Sequence, residues 1–293
     1  MKYKLTEETK KLKYSDVILH RIECVEAFDY VEVGDKGGWI EKEENLSHSG
    51  LCWVYGDAMV HGDAFVSGSA RVMGRAEVFG NALIYGHAVV MDNAKVFGYA
   101  AVYEDSQVRD WGQVFDDAEV KGCATVCRSA KVYGKAQVLG DAYIAHQARV
   151  YGNAFVSDNA KIMGVASVFE SAQVIDFAKV GGDARVYGEA RIRGEAEVGG
   201  SALVYGLAEV NGAAEIIGDA AVSSDLDYMV FKNCWSSGRF FTWTRSNDKY
   251  KVGCFYGSGK ELIDKAFVDS RAKSVCYGAI VNAVEAIKRE LYG

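Results

Sequence analysis

Residues 54–101 read VYGDAM VHGDAF VSGSAR VMGRAE VFGNAL IYGHAV VMDNAK VFGYAA, a run of six-residue units without an insertion. The phase persists to Val222, with Val or Ile at every sixth position and Ala four residues later, except at Ser106 and Gly112. An amphipathic helix needs a period of about 3.6 residues, and a simple strand alternates without a break, so neither pattern fits. Ala-x-(Val/Ile)-x predicts a short strand with both apolar residues facing inward, and Gly-Asp or Gly-Asn predicts a corner with positive φ. One unit cannot bury its own apolar side, so the units must stack into a coil.

The motifs VYGDAM, VHGDAF, VFGNAL, VYGNAF and VYGEAR resemble the hexapeptide-repeat family, over somewhat more than half of the chain. This resemblance implies a left-handed, single-stranded parallel β-helix in which three units make one triangular rung of 18 residues. We therefore predict a mainly β fold. It comprises an N-terminal β cap at 1–45, a hexapeptide-repeat β-solenoid at 46–223 and a C-terminal α+β module at 224–293.

The residue that follows each aliphatic position tests this period. Positions 18 apart should stack in a column, and sorting them gives three columns, of which two are mixed and one is aromatic. The aromatic column, here called the aromatic ladder, comprises Phe79, Phe97, Phe115, Tyr133, Tyr151, Phe169, Tyr187 and Tyr205. A regular ladder in one register is expected only if these residues are neighbours in space. The period thus predicts Tyr133 and Tyr151 on adjacent turns, about 5 Å apart at the backbone.

The ladder is also the candidate binding surface. Its rings alternate with inward-facing residues and should therefore point outward, and the outward positions two residues earlier include Lys95, Lys131, Arg149 and Arg185. One interpretation of the stacked rings is that they only stabilise the sheet, and a second is that they dock a protein. A third is that the rings and cations together bind a nucleotide or single-stranded nucleic acid. We favour assembly or protein docking, because large apolar patches on soluble proteins usually meet a protein partner.

The two ends break the repeat. The segments at 227–235, 239–245 and 249–257 read as three strands, and helices are expected at 260–269 and 279–291. The sequences GGWIEKEENLS (37–47), SGRFFTW (237–243) and YKVGCFYGS (250–258) resemble terminal segments of repeat proteins encoded by phages and prophages. We expect the N-terminal segment to cap the exposed solenoid edge.

Composition narrows the function classes. A net charge of −7 argues against a general nucleic-acid binder. Seven scattered cysteines without a CxxC pair are typical of reduced thiols, and neither a signal peptide nor an apolar run long enough for a membrane span is visible. We predict a cytoplasmic protein with no metal and no cofactor.

Many members of the resembled family are acyltransferases that use a histidine base and a loop projecting from the coil. Here no loop interrupts the units, and His61, His87 and His146 fall on three different faces, so they cannot converge on one metal. The segment GSGK at 257–260 lacks the first glycine and the hydroxyl residue of a phosphate-binding loop, so a strand-to-helix turn is expected there. We therefore predict no catalytic residue.

The sequence leads to one favoured function and two alternatives. The favoured hypothesis is a non-catalytic, phage- or prophage-type solenoid that acts as a self-associating scaffold or as a binder and inhibitor of a host protein. The alternatives are an acyltransferase with a site between subunits, and capture of a nucleotide or single-stranded nucleic acid on the ladder. A homo-oligomer is the expected assembly.

Overall fold

The N-terminal segment forms three strands, β1 (Tyr3–Lys11), β2 (Ile18–Cys24) and β3 (Lys36–Ile40), in a computed structural model that describes residues 1–13 and 15–292. β1 pairs with β2, and β2 with β3, in antiparallel register. A single 3₁₀ turn follows at Glu43–Asn45. The cap therefore leads the chain directly into the repeat.

The repeat forms 29 strands of two residues each. In chain order they are β4 Trp53–Val54, β5 Met59–Val60, β6 Phe65–Val66, β7 Arg71–Val72, β8 Glu77–Val78, β9 Leu83–Ile84, β10 Val89–Val90, β11 Lys95–Val96, β12 Ala101–Val102, β13 Gln107–Val108, β14 Gln113–Val114, β15 Glu119–Val120, β16 Thr125–Val126, β17 Lys131–Val132, β18 Gln137–Val138, β19 Tyr143–Ile144, β20 Arg149–Val150, β21 Phe155–Val156, β22 Lys161–Ile162, β23 Ser167–Val168, β24 Gln173–Val174, β25 Lys179–Val180, β26 Arg185–Val186, β27 Arg191–Ile192, β28 Glu197–Val198, β29 Leu203–Val204, β30 Glu209–Val210, β31 Glu215–Ile216 and β32 Ala221–Val222.

Every third strand joins the same parallel sheet, which confirms the rung of 18 residues. The three sheets form three walls of one β-solenoid. The ladder face runs from β5 to β32 in steps of three and continues through β3 into the cap, giving 13 strands in all. The second face holds the nine strands from β6 to β30, and the third face holds the ten strands from β4 to β31. The predicted mainly β solenoid is confirmed.

The interior is a stack of small and branched apolar side chains. The Ala and Val or Ile positions of the repeat are fully buried, and they join the cap residues in one continuous core. Burying one Val or Ile side chain contributes roughly 1.5–3 kcal/mol, so the core grows by a fixed amount with every unit. Ser106, at an Ala position, is buried and donates its hydroxyl to the carbonyl oxygen of Tyr103 at 2.7 Å.

The C-terminal residues form a second, smaller core. After a 3₁₀ turn at Asp225–Asp227, an antiparallel sheet contains β33 (Tyr228–Lys232), β34 (Phe240–Thr244), β35 (Lys249–Val252) and β36 (Phe255–Gly257), and two helices follow, α1 (Gly259–Asp269) and α2 (Arg271–Tyr292). Phe241, Trp243 and Val284 are among the side chains buried between the sheet and the helices.

Two sequence-based boundaries in this module were wrong. The segment at 249–257 forms two strands, because Gly253 turns the chain at a φ of 57°. The second helix begins at Arg271 and not at residue 279. In its first two turns the side chains are exposed or half-buried except for Tyr277, so they carry no apolar stripe for the sequence pattern to detect.

Both ends of the rod are covered. At the start, Trp53 is buried against the rings of Tyr3 and Phe28 from the cap, in edge-on contacts of 6.1 and 5.5 Å between centroids. At the other end, the Thr242 hydroxyl accepts the backbone N–H of Glu215 at 2.9 Å, and Ser246 accepts that of Ala221 at 2.7 Å. These contacts satisfy backbone groups that would otherwise invite further strand pairing.

Candidate functional site

The aromatic ladder exists as predicted. Ring centroids of successive members lie 4.8–5.3 Å apart, and all pairs are parallel to within 9°. Tyr133 and Tyr151 are 4.8 Å apart. His61 stacks on Phe79 at 5.2 Å and so forms a ninth ring, which the sequence-based ladder omitted although its position fits the period. Each ladder ring is half-buried, because neighbouring rings cover both of its flat sides, or one side in the case of Tyr205 at the end of the ladder.

The outward residues beside the ladder pair in register across the strands. Lys131 faces Arg149, and Lys95 faces Glu77, at neighbouring backbone positions. Lys95 Nζ lies 2.6 Å from Glu77 Oε2, and His61 Nε2 lies 3.2 Å from Glu77 Oε1. The hydrogen bond from His61, supported by Lys95, lowers the pKa of Glu77 to about 2 against the opposing effect of burial. The ladder therefore begins with a charged, ordered cluster, while Arg149 and Arg185 further along are exposed.

A second apolar feature lies next to the ladder, on the first rungs of the second face. Phe65 and Leu83 are register partners on adjacent strands, and both side chains are exposed, as is Tyr85. Tyr85 stacks on Tyr103 at 4.6 Å, and Tyr99, at the corner between the ladder face and the second face, is 67% exposed. We call these five side chains the exposed apolar cluster. Tyr85 and Tyr103 belong to one of the two mixed columns, because Ser67 precedes them and Lys121 follows them at the 18-residue spacing.

The corners carry a distinct pattern of charge. Most corner residues with positive φ are glycines, but seven are Asp or Glu, and each of these carboxylates accepts the backbone N–H of the residue one rung further on. For example, Glu104 accepts from Gly122 at 2.7 Å, and Glu170 accepts from Gly188 at 2.9 Å. A left-handed conformation costs a residue with a side chain about 1–2 kcal/mol, and this hydrogen bond offsets part of the cost.

The three solenoid histidines and the GSGK segment lie at separate places in the fold. His61 lies in the ladder, whereas His87 and His146 are exposed at corners of the second and third faces, as their spacing predicted. Ser258 is the N-cap residue of α1. Its hydroxyl accepts a hydrogen bond from the backbone N–H of Glu261, and the Glu261 carboxylate accepts one from the backbone N–H of Ser258. The GSGK segment is thus a strand-to-helix turn, as expected.

Three further properties concern the whole described chain. All seven cysteines are free thiols. Across residues 1–13 and 15–292, no group of three or more His, Cys, Asp or Glu side chains has the geometry to hold a metal ion. No helix in the same ranges combines the length and apolarity needed to span a bilayer.

No protein-family model matches the chain. The chain is similar to a protein of Escherichia coli (strain K12) named uncharacterized acetyltransferase YdcK, with 37% identity over 60 residues. The match covers 18% of this chain and 18% of that protein's length. Together with the stacked six-residue units, this similarity fits a hexapeptide-repeat family.

Proposed function

We propose that this chain acts by binding, as a self-associating β-solenoid scaffold. Its docking surface comprises the aromatic ladder and the exposed apolar cluster beside it. The observation that carries the proposal is the cluster, where Phe65, Leu83 and Tyr99 expose apolar surface on neighbouring rungs of a rigid wall. Apolar groups placed together on a sheet gain free energy when a partner removes them from water.

A second copy of the chain is the partner that fits this surface best. The side chains of the docking surface repeat at the spacing of the rungs, close to 4.8 Å between ladder rings. A second copy has the same spacing between rungs. In a two-fold symmetric dimer, the side chains of the docking surface on one copy therefore face the same side chains on the other copy. The wall is also preorganised by continuous backbone hydrogen bonding, which reduces the entropy lost on association.

Light scattering of the purified chain tests self-association. We expect the wild type to have a mass that is a multiple of 31.9 kDa. Leu83→Asp combined with Tyr85→Asp places carboxylates in the centre of the cluster, and this variant should revert to the monomer mass, because an unpaired charge is costly to bury. Tyr133→Ser combined with Tyr151→Ser tests the contribution of the ladder separately.

The control is Phe177→Asp. Its side chain is exposed at the corner between the second and third faces, away from the ladder face, so the control should keep the wild-type mass. Circular dichroism of each variant checks that the β-solenoid is retained. A monomeric wild type, or equal loss of mass in the control, would contradict self-association through this surface.

A host protein is the alternative occupant of the same surface. The terminal segments that resemble phage and prophage repeat proteins motivate this possibility. A monomeric wild type whose capture of one host protein is lost on Leu83→Asp would support the host-binding form of the proposal over the scaffold form.

An acetyltransferase is the second candidate function, and the similarity to the acetyltransferase-named protein of E. coli favours it. Isothermal titration with acetyl-CoA separates it from a pure binding role. Enzymes typically have KM values between about 1 μM and 1 mM, so no detectable binding of acetyl-CoA at several times the upper value would remove support for this function.

A further inference from the structure

An open pocket lies on the third face, at the corners beside β13, β16 and β19 in the middle of that sheet. Its volume is about 430 Å³. It lies outside the docking surface proposed above. The side chains that line it and bear on its chemistry are Arg109, Trp111, Cys127, Arg128, Ser129 and Tyr143.

The pocket coincides with a cluster of irregularities in the repeat. Gly112 stands where the pattern has Ala, and a Cβ at that position would lie 2.8 Å from the carbonyl oxygen of Val126. Arg128 and His146, one rung apart at the same corner, have φ values of 59° and 65°. Within the described solenoid they are the positive-φ residues that are neither glycine nor acidic.

The conformation of Arg128 lacks the compensation found at the acidic corners. In the described parts of the chain, neither Arg128 nor His146 makes a side-chain hydrogen bond, whereas each acidic corner residue accepts one from the next rung. A side chain held in an unfavourable backbone region without local benefit is typical of functional positions. Glycine, which occupies most other corners, would have adopted this positive φ at no steric cost.

The pocket carries a net positive charge, because two arginines and one carboxylate, Asp110, line it. Arg109 Nε is buried and has no hydrogen-bond partner among the described residues. Asp110 Oδ2 accepts the backbone N–H of Arg128 at 2.9 Å, so this carboxylate is held by the backbone and not by a guanidinium group. Within residues 1–13 and 15–292, neither Arg109 nor Arg128 forms an ion pair. Two free guanidinium groups at one pocket match an anion with several oxygens, which they bind through paired N–H groups.

The remaining lining groups add a flat apolar wall and neutral polar atoms. Trp111 is 62% exposed, so its indole ring is free to stack on a ligand. Cys127 Sγ and Tyr143 Oη are hydrogen-bonded at 3.2 Å, and this hydrogen bond is the main reason why the pKa of Tyr143 is raised. Tyr143 is therefore an uncharged hydroxyl at neutral pH, and Ser129 provides a second one.

We propose that this pocket binds a small phosphate monoester carried on a flat ring, the chemistry of a mononucleotide. Arg109 and Arg128 bind the phosphate, whose charge of about −2 at neutral pH matches two guanidinium groups. Trp111 stacks on the ring. The strained conformation of Arg128 is retained because it directs the guanidinium group towards the pocket.

Isothermal titration with adenosine monophosphate as the probe tests the site. We expect binding in the sub-millimolar range, with adenosine and inorganic phosphate each at least about tenfold weaker, because each lacks one of the two contacts. Arg109→Gln with Arg128→Gln should weaken binding of the monophosphate by at least about tenfold. The matched control, Arg149→Gln with Arg185→Gln, removes two guanidinium groups from the ladder face and should leave binding unchanged.

Arg128→Gly supplies an independent measurement, because replacing an arginine that only stabilises the fold would lower the melting temperature. Glycine accepts the positive φ, so the melting temperature should rise by about 2 °C while binding of the monophosphate falls. A wild type that binds no monophosphate at about 10 mM would overturn the proposal, as would equal binding by the double Gln variant. Loss of binding in the ladder-face control would show that the ligand binds the ladder face, and this would also overturn the proposal. Inorganic phosphate that binds as tightly as the monophosphate would overturn the role of the ring.

Discussion

The ladder face and the pocket on the third face use the same backbone in opposite ways. On the ladder face, Phe or Tyr recurs on successive rungs, and each ring stacks on its neighbours with centroids 4.8–5.3 Å apart. At the pocket, residue types change from rung to rung, and Arg109 and Arg128 have no partner of opposite charge among the described residues. A column of stacked rings stabilises the solenoid without a ligand. Where a column changes residue type, as at the pocket, charged groups remain that a bound ligand can pair with.

The ladder gives the largest expected effect. Phe97→Ser combined with Phe115→Ser removes three successive stacking contacts, those from Phe79 to Tyr133. With each contact contributing about 0.5–1.5 kcal/mol, we expect the free energy of unfolding to fall by about 3 kcal/mol. Urea denaturation followed by circular dichroism measures this loss.

Exposed rings provide the control for the ladder. Trp111→Ser and Phe177→Ser each remove a ring that is more than half exposed and lies outside the docking surface, and each should change the free energy of unfolding by less than about 0.5 kcal/mol. Equal losses for ladder rings and exposed rings would remove the distinction between a structural column and a free surface.

Acid should weaken the start of the ladder in a defined pH window. Because the pKa of Glu77 is lowered from 4.5 to about 2 in the folded chain, its contribution is complete above pH 4.5 and is lost as the pH falls through 2. At pH 7 the wild type should exceed Glu77→Gln by roughly 2 kcal/mol in free energy of unfolding, and by about half of that at pH 3. Denaturation of both proteins across this range measures the difference, and a gap that does not depend on pH would show that the His61 and Lys95 contacts do not hold this charge.

The corners give the smallest effect and the closest comparison. Glu170→Ala removes the carboxylate that accepts the Gly188 N–H at 2.9 Å, and we expect a loss of about 1 kcal/mol in free energy of unfolding. Arg128→Ala keeps the same backbone conformation but removes no hydrogen bond, so its free energy of unfolding should stay within about 0.5 kcal/mol of the wild type. If both changes were equally destabilising, Arg128 would be a structural residue like the acidic ones.

Much of the solenoid could be predicted from the sequence, because the residues that lie next to each other on adjacent rungs are separated by a fixed number of positions. Once three units make a rung, residue i lies beside residue i+18, as Tyr133 lies beside Tyr151. The same count placed His61, His87 and His146 on separate faces. It failed in the C-terminal module, where α2 begins at Arg271 and Gly253 divides one expected strand into two, because contacts there follow no fixed interval.

The sequence by itself determined the period, the buried column of Ala and Val, and the membership of the aromatic ladder, since each follows from spacing along one chain. Tertiary structure alone decided which irregular residues meet. Arg109 and Arg128 differ by 19 positions and Tyr143 follows 15 later, yet they line one pocket, because the direction of a side chain at a corner depends on φ and on the rung above it. The exposed apolar cluster has the same origin, since Tyr99 stands at the corner that leads into the second face, whereas Leu83 lies within that face.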